Sequence, residues 1–382
     1  MEHTSYIELS KKALKNNIEF IKKELGQTKL SAVIKGNAYG HGYKEYAPLL
    51  YDFGVRHLSV FSADEAFDVL NVLPDNITLL ILGYIDDVQL EWVIQQGIEF
   101  YVFDIERLDK AIQMAKKLNK KAKIHIELET GMNRTGFDSR ELTTIISKIE
   151  SELLFIELKG VCSHLAGAES IANYKRISDQ ITNFKKFIPL VDSIKNSATD
   201  FHLACSAASI QYPETKLDLA RIGILQYGFF PSNEVLVQYL AKKNSTVNPL
   251  QRVISWKTKV MDLKTVKRGE FIGYGTSYFT NRNTVIALIP VGYSHGFSRS
   301  LSNQGKVLIR GKRFDVIGIV NMNMMAVDVT ENSAIEKGDE VVLIGQQGSQ
   351  EISVSSFSDF SDQVNYELLT RLPSKITRLI KE

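Results

Sequence analysis

Between Lys29 and about Gly228 the chain repeats one unit eight times: a short β-branched or aromatic run, a polar break, and an amphipathic helical stretch. The runs read KLSAVIK, HLSVF, TLLILG, FYVFD, AKIHIEL, ELKGVCSHL, FHLACS and DLARIG, with stretches such as SADEAFDVLNVL, DIERLDKAIQMAKKLN and RISDQITNFKKFI between them. Strands that are apolar along nearly their whole length, rather than alternating, are covered on both faces, as parallel strands are. Eight strand-helix units predict an α/β fold built on a (β/α)8 TIM-like barrel, and a doubly wound open sheet is the competing arrangement.

The texture changes at residues 241–251, AKKNSTVNPLQ, a polar stretch with a proline. Beyond it VISWKTKVMDL, TVIALIPVGY, KVLIR, RFDVIGIV, MMAVDV and EVVLIG are separated by glycine-bearing turns, which predicts a mainly β C-terminal domain. The expected division is a barrel over residues 9–243 and a β-rich domain over 244–382, joined by a strand at 4–8 because SYIEL has no partner in the repeat. The closing DQVNYELLTRLPSKITRLIKE has helical spacing in its first half and is interrupted by Pro373.

Composition narrows the function classes. With 382 residues, 44% hydrophobic and 24% charged, the chain is neither disordered nor collagen-like. Lys plus Arg is 46 against 44 for Asp plus Glu, so there is no field to gather a polyanion, and nucleic acid is not an expected partner. Two cysteines exclude a disulfide framework and suit a reducing compartment. The first residues lack the apolar core of a signal peptide, and the longest apolar runs are too short to span a bilayer, so a cytoplasmic protein is expected.

A barrel builds its chemistry from side chains at the carboxyl ends of its strands. Lys35, Glu127, Arg134, His164, Ser206 and Arg221 all sit there. Each alone could cap a helix or close a salt bridge; six at equivalent positions point to one cavity. A lysine at the end of an apolar strand is desolvated, which lowers its pKa and makes its amine a nucleophile toward carbonyls. The GNAYGHG that follows lets backbone approach a ligand but is no phosphate-binding P-loop. Ser206 and the segment from Arg221 to Gly223 come from the seventh and eighth strands, the usual phosphate corner of such a barrel. A phosphorylated aldehyde satisfies both ends, and pyridoxal 5'-phosphate fits that description.

Several segments carry a resemblance: SAVIKGNAYGHG, LETGMNRTGF, CSHLAGAE, HLACSAAS and ARIGILQYGFFPS in the first part, then GYGTSY, PVGYSHGFSR and QVNYELLTR. In this order and spacing they resemble the alanine racemases, pyridoxal-phosphate-dependent enzymes of the barrel-plus-β-domain type. The resemblance implies that Lys35 carries the cofactor and that Tyr39 and Tyr366 contact its phosphate, with Ser206 and Gly223 nearby. It implies that Arg221 faces the pyridine nitrogen, that His164 bonds this arginine and links it to Tyr274, and that Arg134 and the backbone of Met322 bind the substrate carboxylate. Lys35 and Tyr274 would be the two bases, since racemisation removes a proton from one face of the α-carbon and returns one to the other. An arginine stays charged at any working pH and disfavours protonation of the ring beside it.

The implied activity is racemisation of L- and D-alanine, supplying D-alanine for peptidoglycan, in a head-to-tail homodimer whose sites are shared between subunits. A racemase of serine or another amino acid, or a non-catalytic cofactor-binding protein, are the alternatives; Arg221 argues against a decarboxylase, and the β-domain with Tyr274 against the binding protein. Glu127 stands where many members carry a carbamylated lysine, and its charge predicts a pairing with Arg134. Asn321-Met322-Asn323-Met324 replaces the family's Cys-Met-Asp-Gln, Ile319 replaces an arginine, and His295 an aspartate, which leaves substrate preference open. His41 and His202 read as readily as structural histidines as functional ones, with His202 in a supporting place. Cys162 and Cys205 read as small core residues.

Overall fold

The computed structural model describes residues 4–74, 76–354 and 365–382, with only the backbone at 365 and 366. The chain forms two compact units, Ala13–Lys35 with Ala47–Gln251, and Met1–Lys12 with Gly36–Tyr46 and Arg252–Glu382. The division therefore falls at 251/252 rather than at 243/244. The cause lies in helix α1 (Lys11–Leu25). Asn17 donates to the Gln251 carbonyl at 2.7 Å and accepts from its N–H at 2.8 Å, while Asn16 donates to the Pro249 carbonyl at 2.8 Å. These bonds tie the polar stretch to the first unit.

The strand β1 (Ser5–Ser10) belongs to the second unit. In the first unit, β2 (Lys29–Val33), β3 (His57–Val60), β4 (Thr78–Ile81), β5 (Glu99–Val102), β6 (Ala122–Glu127), β7 (Ile156–Cys162), β8 (Asp200–His202) and β9 (Leu219–Ile222) form one parallel sheet. All eight predicted runs become strands. The sheet runs β8-β7-β6-β5-β4-β3-β2-β9, so the first and last strands of the repeat are neighbours. Its two edges meet where Cys205 bridges Arg221, with Arg221 N–H donating to the Ala204 carbonyl at 2.9 Å. That closure makes a barrel and excludes the doubly wound open sheet.

Amphipathic helices cover the barrel because their apolar stripes recur at the helical period. The helix Ile105–Leu118 buries Leu108, Ala111, Ile112 and Ala115. It begins where the Asp104 side chain accepts from the Arg107 N–H, and it ends at Asn119 in the left-handed conformation.

The second unit is mainly β. The strands β10 (Ile254–Lys259), β11 (Asp262–Val266), β12 (Thr284–Ile289), β13 (Lys306–Ile309), β14 (Lys312–Ile317), β15 (Met325–Asp328), β16 (Glu340–Gln347), β17 (Gln350–Ile352) and β18 (Thr377–Lys381) follow in the chain. They assemble in the order β11-β12-β15-β14-β13-β16-β10-β1-β18. β1 lies antiparallel to β10, with Ile7 opposite the buried Trp256, and parallel to β18. The helix Asn365–Thr370 stops before Pro373, and the chain after it extends into β18. Among the described residues no helix is long and apolar enough to cross a membrane.

Candidate active site

At the carboxyl ends of the barrel strands the structure brings together Lys35, Glu127, Arg134, His164 and Arg221, each of which feels the charge of others in the group. Lys35 follows β2 by one buried residue, Ile34. Solvent reaches part of the lysine side chain. The protein atoms crowding it still lower its pKa, helped by Arg134 and Arg221 and opposed by Glu65. A lowered pKa enlarges the neutral, nucleophilic fraction of the amine.

Arg221 is buried and fully oriented. Its Nη1 donates to His202 Nδ1 at 2.5 Å and to the His202 carbonyl at 3.0 Å, and its Nη2 donates to the Ser163 carbonyl at 2.6 Å. The ring hydrogen bond to Arg221 is made here by His202, and none to His164 is seen among the described residues. His164 is half-buried, and burial together with Arg221, Arg134 and Lys35 pushes its pKa down to about 3, so it is a neutral imidazole. Among the described residues the Nε of Arg221 and the second N–H of its Nη2 carry no hydrogen bond, which leaves two donors for a ligand.

Glu127 closes β6 and is buried. Its carboxylate accepts from the Thr135 hydroxyl at 2.7 Å, and the Arg134 guanidinium lies 3.9 Å away. Burial raises its pKa, and the Thr135 bond and Arg134 only partly offset this. The loop that presents Arg134 is shaped by a residue the sequence reading missed. Glu129 accepts from the backbone N–H groups of Gly131, Asn133 and Arg134, the last two at 2.7 and 3.3 Å. Its acidic side chain two residues after a barrel strand, before a glycine, was the available signal. At the phosphate corner, the buried Ser206 hydroxyl accepts from the Gly223 N–H at 2.9 Å and keeps its own proton to donate. Cys162 is buried, and that burial pushes its thiol up to about 12; Cys205 is partly buried.

The remaining predicted residues belong to the second unit. Gly36, Asn37, Ala38, Tyr39 and Gly40 all have positive φ and wind a left-handed turn, closed by Gly40 N–H donating to the Gly36 carbonyl at 3.0 Å. For Ala38 and Tyr39 this conformation costs roughly 1–2 kcal/mol each. Tyr43 offsets part of that cost, because its hydroxyl accepts from Asn37 N–H at 2.9 Å and its N–H donates to Asn37 Oδ1 at 3.1 Å. His41 Nδ1 lies 3.0 Å from the carbonyls of Ala38 and Tyr39, so that nitrogen carries the ring proton. Strain held in this way clusters at functional sites.

Tyr274, 71% exposed, lines a cavity of about 530 Å3 with Tyr293, Arg299 and residues 319–324. Ile319, Met322 and Asn323 are on that wall. The Met322 carbonyl accepts from Ser294, whose hydroxyl also accepts from Asn323, while the Met322 N–H has no partner among the described residues. His295 caps its own short turn from Gly292. The side chain of Tyr366 lies outside the described residues.

Comparison with known proteins agrees with this geometry. Residues 9–231 match the family model for the alanine racemase N-terminal domain, and residues 253–380 match that for the C-terminal domain. The chain is 30% identical to an alanine racemase of Leptospira interrogans over 381 residues, 99% of this chain and 96% of that one. Its structure resembles the alanine racemase of Clostridium difficile 630, with a TM-score of 0.90, 30% identity, and coverage of 100% of this chain and 96% of the other. It also resembles the alanine racemase of Bartonella henselae with covalently bound pyridoxal phosphate, with a TM-score of 0.85, 28% identity and full coverage of both chains. With both domain models matched along nearly its whole length, the chain belongs to the alanine racemase family and is an amino-acid racemase.

Proposed function

We propose that the protein interconverts L- and D-alanine with pyridoxal 5'-phosphate, using Lys35 and Tyr274 as bases on opposite faces of the substrate. The observation that carries this reading is the convergence of Lys35, its pKa lowered by burial and by nearby cations, with Arg134 and Arg221 at the mouth of the barrel. The donor set suits the cofactor: an amine for an aldehyde, the Ser206 hydroxyl with Gly223, Tyr39 and Tyr366 for a phosphate, and Arg221 Nε for a ring nitrogen. When bound, pyridoxal phosphate supplies an electron-withdrawing ring that acidifies the α-carbon proton of an attached amino acid.

The chain's own groups do the rest. Arg134 offers a half-exposed guanidinium whose fork matches the substrate carboxylate, and the unpartnered Met322 N–H can add a second donor. Lys35 Nζ takes or returns the proton on the face used by D-alanine, and Tyr274 Oη does so on the face used by L-alanine. Arg221, kept charged and oriented by His202, would hold the ring nitrogen of the cofactor and disfavour its protonation.

Tyr274 stands exposed beside Phe271, Phe279, Tyr293 and Met322, all 42% exposed or more, which is apolar surface of the kind subunits cover. That surface supports a homodimer whose sites combine the barrel of one subunit with the β unit of the other. D-alanine for peptidoglycan, made in the cytoplasm, is the use this activity implies.

The test incubates purified protein and cofactor with single L-amino acids in deuterated water, followed by chiral analysis. D-alanine with deuterium at the α-carbon is the expected result. Exchange without a D-product, or no exchange with any amino acid, overturns the reading. The wall formed by uncharged Ile319, Asn321 and Asn323 in the Tyr274 cavity favours one second reading, in which serine is racemised faster than alanine.

A further inference from the structure

A thread of buried polar side chains runs along the barrel from one mouth to the other. Arg221, near the carboxyl end of β9, meets His202 Nδ1 at 2.5 Å. His202 Nε2 meets His125 Nδ1 at 2.9 Å, and His125 Nε2 meets Glu99 Oε2 at 2.8 Å. All four residues are buried. Glu99 is the first residue of β5, so the thread ends at the amino-terminal mouth. There it lines a cavity of about 490 Å3 with Lys29, His57, Lys159 and Asp200. His57 Nε2 is 3.5 Å and Lys159 Nζ 3.9 Å from the Glu99 carboxylate, while Lys29 pairs with Asp200 at 2.7 Å and Lys159 approaches Glu157 at 3.6 Å.

The two ends dictate where the protons lie. A guanidinium only donates, so His202 Nδ1 accepts and the proton of neutral His202 is on Nε2. That proton is donated to His125 Nδ1, which places the His125 proton on Nε2, where it is donated to Glu99. An ionised carboxylate only accepts, so the direction is fixed at both ends. Burial keeps both imidazoles neutral, and Arg221 adds to this at His202. Burial alone would raise the Glu99 carboxyl, but the hydrogen bond from His125, with the His57 imidazole nearby, holds it well below the usual carboxylate range. The ring of Tyr101 flanks both histidines, at 6.2 and 6.1 Å between centroids.

We infer that Glu99 is a positioning residue for racemisation: acting through His125 and His202, it fixes the hydrogen-bond direction that holds the Arg221 guanidinium at the opposite mouth. What Arg221 is held for rests on the function proposed above; the thread itself does not. Without an acceptor at Glu99, the His125 proton moves to Nδ1 and forces the His202 proton onto its own Nδ1, where it faces the N–H of Arg221. The arginine then loses the His202 ring and keeps only the carbonyls of His202 and Ser163, so its guanidinium is held less firmly.

Histidine-selective 15N NMR of the wild-type protein, with and without pyridoxal phosphate, reads the tautomers directly. His125 and His202 are expected to be neutral with the proton on Nε2; a proton on Nδ1 of either overturns the inference. In Glu99→Met and Glu99→Leu, which leave no acceptor for His125, the tautomers should become mixed or inverted. The kcat for alanine should fall on the order of 10- to 100-fold, by analogy with losing the outer group that orients a metal-bound histidine, with little change in KM. Glu99→Asp should recover part of both. Wild-type tautomers and wild-type kcat in either variant would sink the idea, and if neither folds the tautomers of the wild type still decide it. Absence of racemisation in the wild type would overturn the proposed function and leave the NMR result to decide the thread.

Discussion

The Glu127 carboxylate holds the Thr135 hydroxyl at 2.7 Å and keeps the Arg134 guanidinium at 3.9 Å, a span that attracts without clamping. A half-exposed ion pair of this kind contributes little, so Glu127→Gln should raise KM for alanine only about 2- to 5-fold at neutral pH. Because burial raises the Glu127 pKa, acidification protonates it earlier than an ordinary glutamate and removes its pull on Arg134. KM in the wild type should therefore climb on the acid side, and the variant should lack that limb. A raised carboxyl pKa also means that the folded state gains relative stability as pH falls through it. Identical pH profiles of KM in wild type and variant would count against the assignment.

Gly160 of β7 leaves room for the contact between His125 and His202. A Cβ there would lie 2.2 Å from His125 Nδ1 and 2.8 Å from His202 Nε2. Gly160→Ala should cost about 1–3 kcal/mol, as overpacking does, and lower the thermal midpoint by several degrees. Since the wedge parts the two histidines, kcat should drop as well. A variant as stable and active as the wild type would show that the bond is dispensable.

Buried histidines make the fold sensitive to acid. Burial pushes the pKa of His41 and of His164 down to about 3, and those of His125 and His202 are also lowered from 6.5. For a base with a depressed folded pKa, the stabilisation is present above the unfolded pKa and is lost as pH falls toward the folded one. Unfolding free energy should thus decline below about pH 6.5, with a slope approaching ~1.4 kcal/mol per pH unit for each such histidine. Urea titrations between pH 7.5 and 5 measure it, and His164→Asn should make the slope shallower. A flat profile over that interval would contradict the burial of neutral imidazoles.

The proposed sharing of sites has a quantitative signature. Lys35→Ala and Tyr274→Phe should each be inactive. After co-refolding in equal amounts, half of the dimers are mixed, and each mixed dimer carries one intact site, so activity should return to about a quarter of the wild type. No recovery, with mixed dimers demonstrated by differential tagging, would show that Lys35 and Tyr274 of one chain serve the same site.

The eight barrel strands were legible because burial on both faces leaves little room for polar residues. The gathering of Lys35, Glu127 and Arg221 at one mouth was legible because the carboxyl ends of barrel strands converge there. The domain boundary was not, since it depends on the side chains of Asn16 and Asn17 reaching across more than 200 residues. Nor was the placement of Gly36–Tyr46 in the second unit, where Gly40 packs so closely on the Leu369 carbonyl that a Cβ would lie 1.9 Å from it. Which histidine supports Arg221 was equally hidden. His164 and His202 both stand at strand ends, and the register at the barrel seam, where Cys205 meets Arg221, makes the choice. The overlooked signal was polar interruption: Glu99 and His125 break runs that are otherwise apolar.

The polar thread gives the barrel floor a chemical duty. In this architecture the amino-terminal face is ordinarily read as scaffold, free to vary so long as the core stays packed. Here a carboxylate on that face sets the posture of a cation on the other, so the residues around the lower cavity become a remote dial. Adjusting the charge near Glu99, through Lys159 or His57, would retune the reaction while leaving every surface that touches cofactor or substrate unaltered. Holding a ligand and tempering its reactivity are thereby assigned to opposite ends of one barrel.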